Sequence, residues 1–123
     1  MRQQFSLLLI GICLAISSAL RADVTFRVNV PTGTTHCYVV GALPELSSWA
    51  AGAGVAMNKV EGKDQFTVTV AGITTADISA SDGYKYVCGP DWKYVEVTAS
   101  NGEVSNRKTV GNPDVVARWR NTY

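Results

Sequence analysis

The only histidine, His36, stands beside Cys37. A thiol and an imidazole can act as nucleophile and base, but neighbours on an extended strand point to opposite faces and would not meet. No two cysteines or histidines have the spacing of a metal site, so no metal and no cofactor is expected. The 10 Asp and Glu residues offer many pairs for glycoside hydrolysis, which needs two carboxylates across a cleft. None stands in an apolar setting of the kind that makes a proton donor, and a chain this small offers little depth for a cleft. The chain is therefore read as not an enzyme. The aromatic residues are more informative. Trp49 follows Pro44-Glu45-Leu46-Ser47-Ser48 and precedes Ala50-Ala51, so no alternating pattern draws it inward. Trp92 follows a Gly89-Pro90-Asp91 turn; on the strand it opens, Tyr94 and Glu96 share its face, with Lys93 and Val95 on the other. Exposed flat rings stack on ligands that present an apolar C–H face, as a pyranose does, while polar neighbours bond the hydroxyls. Trp119, near the end of an alternating run, is expected in the core.

The elements that must position these residues alternate with period two. Val24, Phe26, Val28 and Val30 share one face of a first strand, ended by Pro31 and Gly33. Cys37 to Gly41 is apolar on both faces, the pattern of a central strand. After the non-repetitive stretch Ala42 to Gly54, Val55, Met57 and Lys59 begin a third strand, and Phe66, Val68 and Val70 mark a fourth. A polar connection through Asp77, Ser81, Asp82 and Gly83 leads to strands at Tyr84 to Cys88 and Trp92 to Val97. Asn101-Gly102 is a hairpin signal, so the chain should return antiparallel from Val104, and Val115 to Trp119 closes it. No stretch has a sustained helical period with caps at both ends. The expected fold class is all-β, an immunoglobulin-like antiparallel sandwich of about seven to eight strands.

Met1 to about Ala22 reads as a secretory signal peptide: Arg2 near the start, an apolar run from Phe5 to Ile16, then Ser17, Ser18, Ala19 and Ala22. The run is shorter than the roughly 20 residues that cross a bilayer, so no membrane span is expected after processing. Ile12 before Cys13 argues against a lipid-attachment site. The protein is expected to be exported, to a periplasmic, cell-surface or extracellular place, as one domain spanning 23–123. Losing Arg2 and Arg21 takes the formal net charge from +1 to about −1. Such a balance gives no electrostatic reason to bind nucleic acid. Cys37 and Cys88 then remain, either as a disulfide or as two buried thiols.

Several runs in order along the expected domain carry a resemblance. They are Phe26-Arg27-Val28, Tyr38-Val39-Val40-Gly41 with Leu43-Pro44-Glu45-Leu46 and Trp49, Phe66 to Val70, Tyr84-Lys85-Tyr86, Trp92 to Glu96, Asn106-Arg107 and Asp114 to Trp119. This pattern resembles the starch-binding domains of carbohydrate-binding module family 20 and related glycogen-binding modules. Its most specific pieces are Gly-x-x-x-x-Leu-x-x-Trp and Tyr-Lys-Tyr followed by a Trp-bearing strand and Asn-Arg. The resemblance implies an immunoglobulin-like sandwich that binds an α-glucan polysaccharide (starch, glycogen or a maltooligosaccharide) without catalysis. The family's site has two tryptophans, with a lysine, a glutamate and an asparagine on sugar hydroxyls. By motif these fall on Trp49, Trp92, Lys85, Glu96 and Asn106. Glu96 lies four residues after Trp92 where the commoner pattern has glutamate directly following, so Tyr94 is placed to share the stacking. The family's second site uses tyrosines where this chain has Gly33-Thr34-Thr35 and Gly62-Lys63-Asp64, so that site is not expected.

A module of this kind can stand beside a catalytic domain or a partner protein. The competing expectation, from another class, is an immunoglobulin-like protein-interaction or structural module of an envelope assembly that binds no glycan, since fold alone does not fix function.

Overall fold

The computed structural model describes residues 22–123; the expected leader, apart from Ala22, lies outside the described residues. The described chain forms β1 (Asp23–Asn29), β2 (Tyr38–Gly41), β3 (Val55–Ala56), β4 (Asn58–Lys59), β5 (Gln65–Ala71), helix α1 (Thr75–Ala80), β6 (Tyr84–Val87), β7 (Glu96–Val97), β8 (Asp114–Val115) and β9 (Arg118–Trp119). One sheet has the order β4-β5-β1-β8, a second β3-β2-β6, and β7 pairs with β9. Every pairing is antiparallel except β1 with β8. The fold is the all-β sandwich that the alternation calls for.

Two expected strands each divide between sheets. In the run Val55 to Lys59, β3 joins β2 and β4 joins β5. Buried Met57 stands at the crossing, its N–H donating to the Cys37 carbonyl at 2.9 Å. In the run Val115 to Trp119, β8 joins β1 while β9 joins β7, and Val116 is buried between them. These two crossings tie the layers together.

Three expectations are corrected. The polar connection before β6 contains α1, closed by a capping box: Thr74 Oγ1 accepts from the Asp77 N–H at 3.0 Å and the Asp77 carboxylate accepts from the Thr74 N–H at 2.9 Å. Its 6 residues are fewer than two helical turns, too few to show a period. The expected strand Trp92 to Val97 is a 3-10 turn over Trp92–Tyr94 followed by the short β7. The return after Asn101-Gly102 is antiparallel, but only through single bridges, Val97 to Glu103 and Tyr84 to Arg107.

Between the sheets, Val24, Phe26 and Val28 of β1 and Phe66 and Val70 of β5 meet Val39, Tyr84 and Tyr86 of the second sheet. Phe26 meets Tyr84 edge-on, with ring centroids 5.1 Å apart. A polar cluster lies at the side of this core, with Glu96 and Asp114 buried and Arg107 partly exposed. Asp114 Oδ2 accepts from the Tyr84 hydroxyl at 2.6 Å and the Tyr86 hydroxyl at 2.8 Å, and its Oδ1 accepts from the Gly111 N–H at 3.0 Å. Glu96, 1% exposed, accepts from Arg107 Nε at 3.0 Å, from Arg107 Nη2, and from the Tyr86 backbone N–H at 3.0 Å. Arg107 Nη1 lies 3.7 Å from Asp114 Oδ1, and Nη2 also reaches the Val115 carbonyl at 2.8 Å. Among the described residues no buried side-chain nitrogen or oxygen lacks a partner. Burial alone would lower the Arg107 pKa; the hydrogen bonds and charge of Glu96, with the charge of Asp114, outweigh it and hold the pKa above its usual value.

Breaking such a cluster leaves a buried charge uncompensated. Arg107→Ala is expected to lower unfolding stability by about 3–5 kcal/mol, measured by urea denaturation. A loss within experimental error would contradict the structural role. The tyrosines set the response to alkali. Burial, reinforced by Asp114, raises both hydroxyl pKa values well above the ordinary tyrosine value. An unfolded chain releases these protons from about pH 10 upward, while the folded chain keeps them. The unfolded state then binds fewer protons, so stability is full below about pH 10 and falls as pH rises beyond it. The urea midpoint should drop between pH 9 and 11, less steeply in Tyr86→Phe than in the wild type.

Candidate ligand-binding face

The pair His36 and Cys37 holds no catalytic arrangement. Cys37 is buried and His36 is exposed, with His36 Nδ1 3.0 Å from Thr35 Oγ1. Cys37 and Cys88 carry free thiols, and burial pushes both thiol pKa values up. A thiol held protonated is a poor nucleophile. Among the described residues no group of three His, Cys, Asp or Glu side chains could hold a metal ion, and no helix is long and apolar enough to cross a membrane.

The second sheet has two different faces. Val39 pairs with Tyr86 and Gly41 with Tyr84, on the side of the main core; Tyr38 pairs with Val87 and Val40 with Lys85, on the other side. On that outer side Val40, Val87 and Val95 form a separate apolar cluster, against which Tyr38 and Trp49 pack. A sheet apolar on both faces was legible in the run Cys37 to Gly41. What covers the outer face is the loop after β2.

That loop is anchored by Leu46, which is 0% exposed in the main core. Gly41 makes the room: a Cβ there would lie 2.8 Å from Leu46 Cδ1 and 2.8 Å from the Gly83 carbonyl oxygen. Leu46 N–H donates to the Leu43 carbonyl at 2.8 Å and Ser48 N–H to the same carbonyl at 3.1 Å, which tightens the turn. Ser47, Ser48 and Trp49 then take left-handed backbone, with φ of 70°, 50° and 65°. The reversal carries the Trp49 ring from the Leu46 side of the sheet to the outer cluster. Gly54 lets the end of the loop close down, since a Cβ there would lie 2.9 Å from Val40 Cγ2. Trp92, 36% exposed, opens the 3-10 turn after β6, where the Asp91 carboxylate accepts from the Lys93 N–H at 2.9 Å. The Trp49 and Trp92 ring centroids are 6.1 Å apart with their planes at 47°. Two tilted indoles, one half-buried and one exposed, thus lie side by side on this face.

Lys85 stands on the same face as Val87, two residues away along β6 and opposite Val40. Its side chain is 13% exposed, and its Nζ lies 3.8 Å from Glu103 Oε2. The other expected site residues lie elsewhere. Glu96 is committed to Arg107 and the Tyr86 N–H inside the sandwich, so it is not presented with the indoles. Tyr94 packs on the main core and meets Tyr123 edge-on at 5.0 Å. On a strand it would share the face of Trp92; a 3-10 turn, with three residues per turn, splays the two apart. Asn106 is exposed at the far end of β6 from Val87, its amide nitrogen donating to the Asp82 carbonyl at 2.9 Å. Trp119 is buried, with Nε1 donating to Thr34 Oγ1 at 2.9 Å. The residues of this face that sequence reasoning passed over are Tyr38, Val95 and Glu103. Only Tyr38 had a signal, as the outward aromatic of a strand apolar on both sides.

No protein-family model and no curated protein sequence matches the chain. Among solved structures it is similar to a glycoside hydrolase family 15 glucoamylase from Hypocrea jecorina, with a TM-score of 0.52 and 22% identity, over 82% of this chain. The chain spans only 17% of that glucoamylase chain. It also aligns with the family 20 CBM of the maltotetraose-forming amylase from Pseudomonas saccharophila STB07, with a TM-score of 0.45 and 18% identity, over 76% of this chain and 99% of that one. The first likeness establishes a shared sandwich fold.

Proposed function

We propose that this protein is an exported, non-catalytic carbohydrate-binding module that holds starch or a related α-glucan at one shallow surface site. The observation that carries the reading is the Trp49–Trp92 pair on the outer face of the second sheet, 6.1 Å apart and tilted at 47°, with Lys85 on the same face. An α-glucan chain curves, so successive pyranose rings present their C–H faces at an angle, and two tilted indoles suit that curvature. Lys85 supplies hydrogen-bond donors for sugar hydroxyls. Glu96, Tyr94 and Asn106 are left out of the site because their polar atoms or rings are engaged elsewhere. The resemblance along the domain and the sandwich shared with a segment of a glucoamylase point the same way.

The expected strength is modest. If each indole hides about 60 Å² of apolar sugar surface, transfer contributes about 1.5 kcal/mol per ring. Hydrogen bonds add to this and association entropy subtracts, leaving a Kd between roughly ten micromolar and a millimolar. That range suits a tether to polymer, where repeated weak contacts combine. In native gels containing soluble starch the wild type should be retarded, and Trp49→Ala and Trp92→Ala should each weaken binding by about tenfold or more. A wild type that runs unretarded in starch, glycogen and cyclodextrin would falsify the reading in favour of a protein-interaction module.

A further inference from the structure

Cys37 and Cys88 take no part in the proposed site, and the β2–β6 ladder brings them face to face. Its last pair is Tyr38 with Val87, so one residue further on Cys37 stands opposite Cys88. The backbone bonds agree. The Cys37 carbonyl accepts from the Met57 N–H at 2.9 Å, on the side of β3, while the Cys88 N–H donates to the Tyr94 carbonyl at 3.0 Å, on the other side of β6. Each residue turns its peptide groups away from the other. That is the pattern of a non-hydrogen-bonded antiparallel pair, in which Cα atoms are about 4.5 Å apart and side chains are closest. A disulfide spans roughly 4.4–6.8 Å between Cα atoms, so the register allows one. Both side chains belong to the main core. Burial first, and then a charge on Cys88, raise the Cys37 pKa, as they would for near neighbours. In this structure the thiols are free, with Cys37 Sγ 3.7 Å from Met57 Sδ and Cys88 Sγ 3.3 Å from the Asn121 carbonyl oxygen. Turning them together takes rotation about the Cα–Cβ bonds, not a change of register.

We propose that Cys37 and Cys88 close into a cross-strand disulfide when the protein meets an oxidising thiol–disulfide couple, and that the bond clamps β2 to β6. Cys88 lines a cleft with Thr34, Trp119 and Tyr123, which gives an external disulfide its way in. The Cys88 thiolate attacks one sulfur of that disulfide, forming a mixed disulfide and releasing one thiolate. The Cys37 thiolate then attacks the Cys88 sulfur and releases the second. Two cysteine S–H bonds are lost and one S–S bond is made; the oxidant takes up two electrons and both protons and leaves as two thiols. Such couples are found where exported proteins fold. The clamp falls where β6 gives way to the Gly89-Pro90-Asp91 turn that carries Trp92, so it braces that turn from the core side. Closing the long loop between the two cysteines also restricts the unfolded chain, the main source of disulfide stabilisation in the chain-entropy account.

The test incubates the full chain with oxidised glutathione or with a phosphine reductant, unfolds it in iodoacetamide, and digests it without reductant for mass spectrometry. The peptides holding Cys37 and Cys88 should be joined after oxidation and separately alkylated after reduction. Alkylation of both after oxidation, glutathione left on either one, or a bond from either to Cys13 would overturn the pairing. The oxidised form should also melt about 10 °C or more above the reduced form. Cys37→Ala, which keeps Cys88 but cannot close the bond, should melt at one temperature under both conditions. The main comparison is between two redox states of one sequence, so it does not depend on how well that variant folds. A joined pair that melts no higher than the reduced protein would overturn the clamp.

Discussion

Where β6 and β7 cease to pair as a regular ladder, the Tyr86 backbone N–H has no strand carbonyl to meet; it donates to the Glu96 carboxylate instead. That carboxylate also holds Arg107, which stands beside Asp114, which binds the hydroxyls of Tyr84 and Tyr86. Five side chains thereby satisfy one another inside the sandwich, with only Arg107 keeping part of its surface exposed, and the geometry of each depends on the rest. Buried charge is tolerable only when paired and hydrogen-bonded. The cluster ties four stretches of chain together: β6, β7, the segment around Arg107, and β8. It therefore fixes how far apart the second sheet and the last strands stand.

With that interior fixed, β2 and β6 can carry an apolar cluster on their outer face as well. The loop that covers it crosses from one side of the sheet to the other within a few residues, from Leu46 in the main core to Trp49 outside. Three successive left-handed residues make the crossing, at a cost of about 1–3 kcal/mol each. Full burial of Leu46 and the space left by Gly41 hold that conformation against its strain. The strained turn holds Trp49 half-buried against the outer cluster and beside Trp92.

The parts of this arrangement that follow a strict period were legible in the sequence, and the parts that depend on a single turn were not. Val24, Phe26 and Val28 announce β1 by alternation, and Phe66 and Val70 announce β5 in the same way. The placing of Trp49 and Lys85 on one face of the second sheet agrees with the motifs that singled them out, since each sits in a short run of distinctive spacing. Tyr94 was misplaced because an aromatic, β-prone run reads as strand, while Asp91 caps a 3-10 turn there and rotates every second residue off the shared face. Glu96 misled for a different reason. A charged residue after a turn reads as exposed, and its burial follows from Arg107, eleven residues away, a pairing that no local pattern reveals. The approach of Glu103 to Lys85 was likewise not legible, since a turn held by a single bridge brings it there.

On the proposed function one face, bearing Trp49 and Trp92, receives the sugar while the third tryptophan serves the core. Indole N–H resonances report the three rings separately in one spectrum. Titration with maltoheptaose should shift the Trp49 and Trp92 indole signals together, saturating at one Kd between roughly ten micromolar and a millimolar, and leave the Trp119 signal, whose N–H is held by Thr34, in place. Unmoved Trp49 and Trp92 signals at saturating sugar, or a shift confined to Trp119, would contradict the account.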